Sequence, residues 1–291
     1  MTIKKPLAIL AASISALTLA ACSGGAADSA ATSGGAEGGE STTLKLGVVG
    51  AIYEDLWTPA QKTLADEGIN LEFVQFSDYV TPNNALDAGD IDLNGFQHEI
   101  YLETDKEANG YKISNIGYTF IIPLNLYSEK VTSVDEIKDG DTIAIPNDPT
   151  NGARALKVLE AAGLITLNDP NNFNPTLDDV ASKKVNFEIT ELAANTIPQA
   201  LPDVTAAIIN GNFALDFGLD PAKAIYNDDK LDDTQYWNLI AARDSDIADP
   251  AKKEIFQKVV DAFHSDATEE VFNGQFAGYF IPQGWDQDLL K

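Results

Sequence analysis

Only two arginines occur in the 291 residues, and one of them, Arg154, falls in the first turn of a predicted helix after the polar run Asn147-Asp148-Pro149-Thr150-Asn151-Gly152-Ala153. A helix N-terminus is already positive, and acids are its usual neighbours. A cation there serves either an ion pair with one of the chain's many acids or the capture of an anion. In the second case unpaired backbone N–H groups, the helix dipole and the guanidinium fork would together hold a carboxylate or phosphate. Three further loops carry polar or aromatic groups: Asp78-Tyr79, Phe96-Gln97-His98 and Asn210-Gly211-Asn212-Phe213. Asn210 can both donate to and accept from the charged backbone groups of an amino acid, or it can cap the helix that follows. Tyr79, Phe96 and Phe213 can wall an apolar ligand or serve as core. His98 can donate to a ligand, hold a metal or cap a helix, capping and packing being the default. The two histidines lie far apart and the mature chain has no thiolate, so no zinc-ligand spacing arises. There is no Gly-x-Ser-x-Gly elbow, no phosphate loop with lysine and no His-Glu-x-x-His. Neither catalysis nor a cofactor is expected. The acidic pairs Asp178-Asp179 and Asp228-Asp229 read as solvated faces.

The elements that must position these loops alternate between strand and helix patterns. Leu44 to Val49 alternates at period two, and Asp55 to Glu67 then reads as a helix stopped by Gly68. Leu71 to Phe76 is a strand. Thr81-Pro82 opens a short helix closed by Gly89, and Ile91 to Phe96 is the next strand. Tyr111 to Tyr127 is strand-rich, and Ser133-Val134-Asp135-Glu136 has the spacing of a capping box. A second α/β unit follows: strand Thr142 to Pro146, helix Asn151 to Ala162, and strands Val185 to Ile189 and Val204 to Ile209. The chain then returns to a strand, Tyr236 to Ala242, and a helix, Pro250 to Ser265. The expected fold class is α/β, with open parallel or mixed sheets under helices and ligands at the carboxyl ends of the strands. All four loops singled out above sit at such ends.

The amino terminus speaks to compartment. Lys4 and Lys5, the apolar stretch Leu7 to Ala21 and the tetrad Leu19-Ala20-Ala21-Cys22 read as a lipoprotein export signal over residues 1–21. Cys22, the chain's only cysteine, is the expected lipidation site, which places the protein at the cell membrane on its extracytoplasmic face. Residues 22–43 read as a tether: Ser23 to Thr43 holds only Gly, Ala, Ser, Thr and acids. Such a coil spans roughly 25 Å r.m.s.. Removal of Lys4 and Lys5 takes the formal net charge from −26 to −28. That surface argues against nucleic acid and against a basic membrane-binding face.

The blocks Asp78-Tyr79-Val80-Thr81-Pro82-Asn83-Asn84-Ala85-Leu86, Gly89-Asp90-Ile91-Asp92, Phe96-Gln97-His98, Asn147 to Asn151 with Arg154, and Ala207-Ile208-Ile209-Asn210 occur in order. With them the stretch from about Leu44 to Gly274 resembles the NlpA-type methionine-binding lipoproteins, the MetQ family. The resemblance implies a periplasmic-binding-protein-like fold of two α/β lobes that close on one amino acid and deliver it to an ABC permease. Lobe 1 would take residues 44–124 and 224–291, and lobe 2 residues 125–223. It also implies a monomer without metal or cofactor. Arg154 would take the ligand carboxylate and Asn210 its charged backbone end, while Tyr79, Phe96 and His98 would line the side-chain pocket. Phe213 stands where a tyrosine is common in the family, losing one hydroxyl. A thioether suits aromatic walls. Nearly isosteric side chains differ by only about 1–3 kcal/mol in such pockets, so another apolar amino acid or a methionine dipeptide is the alternative ligand. An extracellular enzyme acting on amino-acid derivatives is the alternative class. The tail from Gln275 to Lys291, with Tyr118 and Asn195, receives no role.

Overall fold

The alternating apolar residues of the first strand form β1 (Thr42–Val49) in the computed structural model, which describes residues 41–291. The export signal, Cys22 and the tether as far as residue 40 lie outside the described residues. Thr42 and Thr43, expected in the tether, already pair with Ile69 and Asn70 and belong to the strand.

After β1 come α1 (Ile52–Asp66), β2 (Ile69–Phe76), α2 (Pro82–Ala88) and β3 (Leu93–Asn94). β2 and β3 flank β1, both parallel to it. Gly68 at φ +78° ends α1, as the sequence indicated. The helix begins three residues earlier than expected, and its apolar stripe packs Leu56, Trp57 and Leu64 beneath β1. α3 (Glu99–Asn109) was not anticipated. Only Leu102 on it is buried, so its periodic signal is weak. β4 (Ile113–Tyr118) follows, and β5 (Phe120–Ile121) and β6 (Asn125–Tyr127) then lead away from the first sheet.

The second unit contains β7 (Thr142–Pro146), α4 (Pro149–Ala161), β8 (Ile165–Leu167), β9 (Val180–Lys183), β10 (Glu188–Leu192), α5 (Ile197–Ala200), β11 (Ala206–Ile209) and α6 (Gly211–Asp216). Its sheet runs β10-β7-β11-β6, the first three parallel and β6 antiparallel. The expected capping box is absent. Glu136 binds the Thr132 hydroxyl at 2.6 Å instead, so Ser133 makes no side-chain cap to the short 3-10 turn that follows.

The chain returns through β12 (Leu239–Arg243), antiparallel between β3 and β4, which completes the sheet β2-β1-β3-β12-β4. α7 (Asp244–Ile247), α8 (Pro250–Phe263) and α9 (Asp266–Gly274) follow. Phe263 of α8 meets Trp57 with ring centroids 4.4 Å apart. Burying side chains of this size contributes about 1.5–3 kcal/mol each, which anchors the helices to the first sheet. A separate cluster of Ile143, Ile145, Leu156, Leu159, Phe187 and Ile208 holds α4 to the second. The tail has a definite place. β13 (Ile281–Pro282) pairs with β5, Trp285 Nε1 donates to Thr119 O at 2.6 Å, and Tyr279 Oη donates to Pro123 O at 3.3 Å. It therefore braces the segment that joins the two sheets.

Candidate functional site

The carboxyl ends of the parallel strands of both sheets turn toward one cavity of about 410 Å³ including its mouth. Phe96, Gln97 and His98 follow β3, and Tyr79 follows β2; Asn151 and Arg154 come from α4, while Asn210, Gly211 and Asn212 begin α6. Ile122, Pro123 and Leu124, from the segment braced by the tail, complete the wall with Tyr53, Tyr101 and Asn238.

Asp78 holds the Tyr79 loop. Its Oδ1 accepts from Val80 N at 2.9 Å and Thr81 N at 3.1 Å. Thr81 is left without a side-chain cap, although Pro82 stands at the first helical position as expected. Tyr79 stacks on Phe96 with ring centroids 5.9 Å apart, and Phe96 meets Tyr101 edge-on at 6.1 Å. Tyr79 Oη donates to Asn212 Oδ1 at 2.6 Å, tying the end of β2 to α6. Phe213, expected in the pocket wall, does not line the cavity. It is buried and packs against Tyr79 at 4.9 Å, because the first turn of α6 points it behind that ring.

Arg154 is the sixth residue of α4, two residues deeper than its predicted place. Asp148-Pro149 starts the helix early: Asp148 is the N-cap, accepting from Asn151 N at 2.9 Å. One N–H of the helix N-terminus is thus already taken by a carboxylate of the chain. Gly152 lets this turn settle on β7, since a Cβ there would meet Pro146 O at 2.9 Å. Arg154 is 4% exposed. Its Nη2 donates to Ile122 O at 3.0 Å and forms an ion pair with Asp228 at 2.6 Å, and its Cζ lies 4.7 Å from the Tyr236 ring centre. Arg154 thus makes the ion pair that is one of its two readings, and its side chain also lines the cavity. Asp228, expected on a solvated face, is instead 7% exposed, because the loop carrying it folds under α4 to meet the arginine. Asp178 and Asp179 remain at the surface.

His98 caps α3, as its default reading held. Nδ1 accepts from Tyr101 N at 3.2 Å, so the ring proton sits on Nε2, 3.4 Å from Asn151 Oδ1. Burial and the nearby Arg154 charge lower its pKa to about 3, so the ring is neutral at physiological pH. Asn210 makes no cap to α6. Its Nδ2 donates to Asn151 Oδ1 at 2.8 Å, and its own Oδ1 is buried without a hydrogen-bond partner. Behind this wall Asn83 bonds Gln97, Asn94 and Asp105, and the fully buried amides fix the turn that presents His98.

Sequence reading missed Tyr53, Tyr101, Asn212 and Asn238 as lining residues. Tyr101 was detectable in principle, three positions after the capping His98. Asn238 carries no local signal, arriving beside His98 only through a bridge to the strand region before β12. Tyr118 lies elsewhere, edge-on to Trp237 at 5.4 Å, while Asn195 donates to Ser77 O at 3.0 Å. Among the described residues no cluster of acids and histidines has the arrangement of a metal site.

Comparison with known proteins agrees with this architecture. Residues 44–284 match the family model described as NlpA lipoprotein. The D-methionine-binding lipoprotein MetQ of Escherichia coli strain K12 is 41% identical over 246 residues, covering 83% of this chain and 88% of that protein. A nutrient-binding protein from Burkholderia cenocepacia, solved bound to methionine, is similar at TM-score 0.76 and 38% identity, over 82% of this chain and 99% of that one. The substrate-binding protein of a methionine transporter from Streptococcus pneumoniae is similar at TM-score 0.78 and 33% identity, over 82% and 95%. The fold is that of α/β substrate-binding proteins, and the chain belongs to the NlpA lipoprotein family.

Proposed function

We propose that this protein is not an enzyme but a receptor that captures methionine and delivers it to an ABC permease while tethered through a lipid on Cys22 at the extracytoplasmic face of the cell membrane. One observation carries the reading: the same cavity is lined by Arg154, whose bonds within the protein are made through Nη2, and by Asn210, whose buried side-chain oxygen lacks a donor. The first suits a carboxylate, the second an ammonium. A zwitterion satisfies both, and an acceptor left unpaired in the interior costs about 1–3 kcal/mol. Tyr79, Phe96 and Tyr101 then surround the side chain, and a polarizable thioether gains about 0.3–1.5 kcal/mol from each such ring contact. Names of the similar proteins support methionine over its isosteres.

The two sheets support a division into lobe 1, residues 44–124 and 224–291, and lobe 2, residues 125–223. Ligand contacts from both are completed only in the closed form, so binding drives hinge closure. Contacts across the cleft fit that motion. Tyr79 meets Asn212, Asn195 meets Ser77, and Asp216 Oδ1 accepts from Ile52 N at 3.0 Å. The closed monomer is the form that docks on the permease.

The test is a calorimetric and thermal-shift screen of the twenty amino acids on protein stripped of ligand carried through purification. Methionine should bind in the micromolar range or tighter and outrank leucine and isoleucine. Binding of none of them, or turnover of a methionine dipeptide, would overturn the proposal.

A further inference from the structure

The cavity's hydrogen bonds have a direction, and it is set by a residue that does not line it. Asp148, partly buried at the N-cap of α4, accepts from Asn151 Nδ2 through both carboxylate oxygens, at 3.0 Å on Oδ1 and 3.1 Å on Oδ2. An ionised carboxylate can only accept, so the Asn151 amide cannot be turned the other way. Its Oδ1 must then face the cavity side, where it receives Asn210 Nδ2 at 2.8 Å and the His98 Nε2 proton at 3.4 Å. Asn210 is oriented in turn, and its Oδ1 becomes the acceptor left over at the end of the relay. At the other pole, the Arg154 charge is offset by Asp228 at 2.6 Å. With His98 neutral, one guanidinium stands against two carboxylates in the groups that line the cavity or bond directly to its lining. A bare monoanion would raise an already negative count, whereas a zwitterion leaves it unchanged and places its cation over the Asp148 relay.

We propose that Asp148, acting through Asn151 and Asn210, is the residue that makes this site select α-amino acids over the corresponding amine-free acids. This deepens the proposed function and rests on it. Burial holds the Asp148 carboxyl above its usual range, against the pull of its Asn151 and Thr150 hydrogen bonds.

The experiment compares L-methionine, 4-(methylthio)butanoate and 3-(methylthio)propylamine on the parent, Asp148→Asn and Asp148→Ser by isothermal calorimetry. Asn and Ser both cap helices well, so α4 keeps its start, and thermal unfolding verifies the fold. In the parent, methionine should bind far more tightly than the acid. In both variants the ratio of the two affinities should fall by on the order of tenfold, the loss falling on the ligands that carry an amine. A merely structural Asp148 would weaken methionine and the acid alike; an unchanged ratio in folded variants therefore overturns the inference while the parent's methionine binding stands. A parent that binds none of the three ligands overturns the function and this inference together.

Discussion

Removing Arg154 should separate the energetics of the fold from those of the site. In Arg154→Ala, Asp228 at 7% exposure loses its ion-pair partner at 2.6 Å, and Ile122 O loses its donor at 3.0 Å. Breaking one side of a buried pair costs about 3–5 kcal/mol, a large part of the roughly 5–15 kcal/mol that holds a domain folded. For a domain of this size the melting temperature should drop by roughly 10 °C. Ligand affinity should fall by more than about 100-fold, since charge-assisted hydrogen bonds to the carboxylate are worth about 1.5–3 kcal/mol each. The double variant Arg154→Ala/Asp228→Asn removes both charges and should recover most of the stability but none of the affinity. Thermal unfolding and methionine calorimetry on parent, single and double variants read the two effects independently. A double variant that binds methionine as tightly as the parent would refute the assignment of the guanidinium to the ligand, whatever happens to stability.

Other consequences follow from contacts across the cleft and from burial. Tyr79→Phe strands the Asn212 Oδ1 acceptor now bonded at 2.6 Å, so methionine affinity should drop about tenfold, at a cost of roughly 1–2 kcal/mol. Asp216, the last residue of α6, caps the start of α1 through Ile52 N at 3.0 Å, and Gly50, at φ +89°, leaves room for that carboxylate. Asp216→Ala should speed methionine release severalfold in stopped-flow measurements, as loss of a cap worth about 1 kcal/mol implies. Because the His98 pKa is lowered to about 3 in the folded protein, the unfolded chain binds the extra proton first as pH falls from about 6.5 toward 3. Stability is lost across that window. Urea unfolding at pH 7 and pH 4.5 should show the parent losing about 2–3 kcal/mol more than His98→Asn, which keeps a capping side chain. An equal loss in both would place the pH response elsewhere.

The two sheets and the site's loops were legible because strand alternation, Gly68 and Gly89, and the proline after Thr81 are local signals that the tertiary structure did not override. What escaped was what long-range contact decides. Asp228 looks like any acid in a chain with formal charge −26, and only its meeting with Arg154, 74 positions earlier, buries it. α3 buries one leucine and so carries almost no periodicity. Arg154 itself was found by type and place, yet its depth in α4 depended on whether Asp148 or a later residue capped the helix. Asn210 was weighed as a cap because the residue before a helix usually is one; its amide is drawn instead to Asn151, 59 positions away. The tail's brace on Thr119 and Pro123 likewise has no local signature.

The most direct measurement is a crystal structure of the mature protein with L-selenomethionine as ligand, using the selenium's anomalous signal to locate the side chain. The account predicts one peak in the cavity between the rings of Tyr79, Phe96 and Tyr101, with the ligand carboxylate on Arg154 and its ammonium on Asn210 Oδ1. A peak beside Arg154, or none in the cavity at saturating ligand, would contradict it.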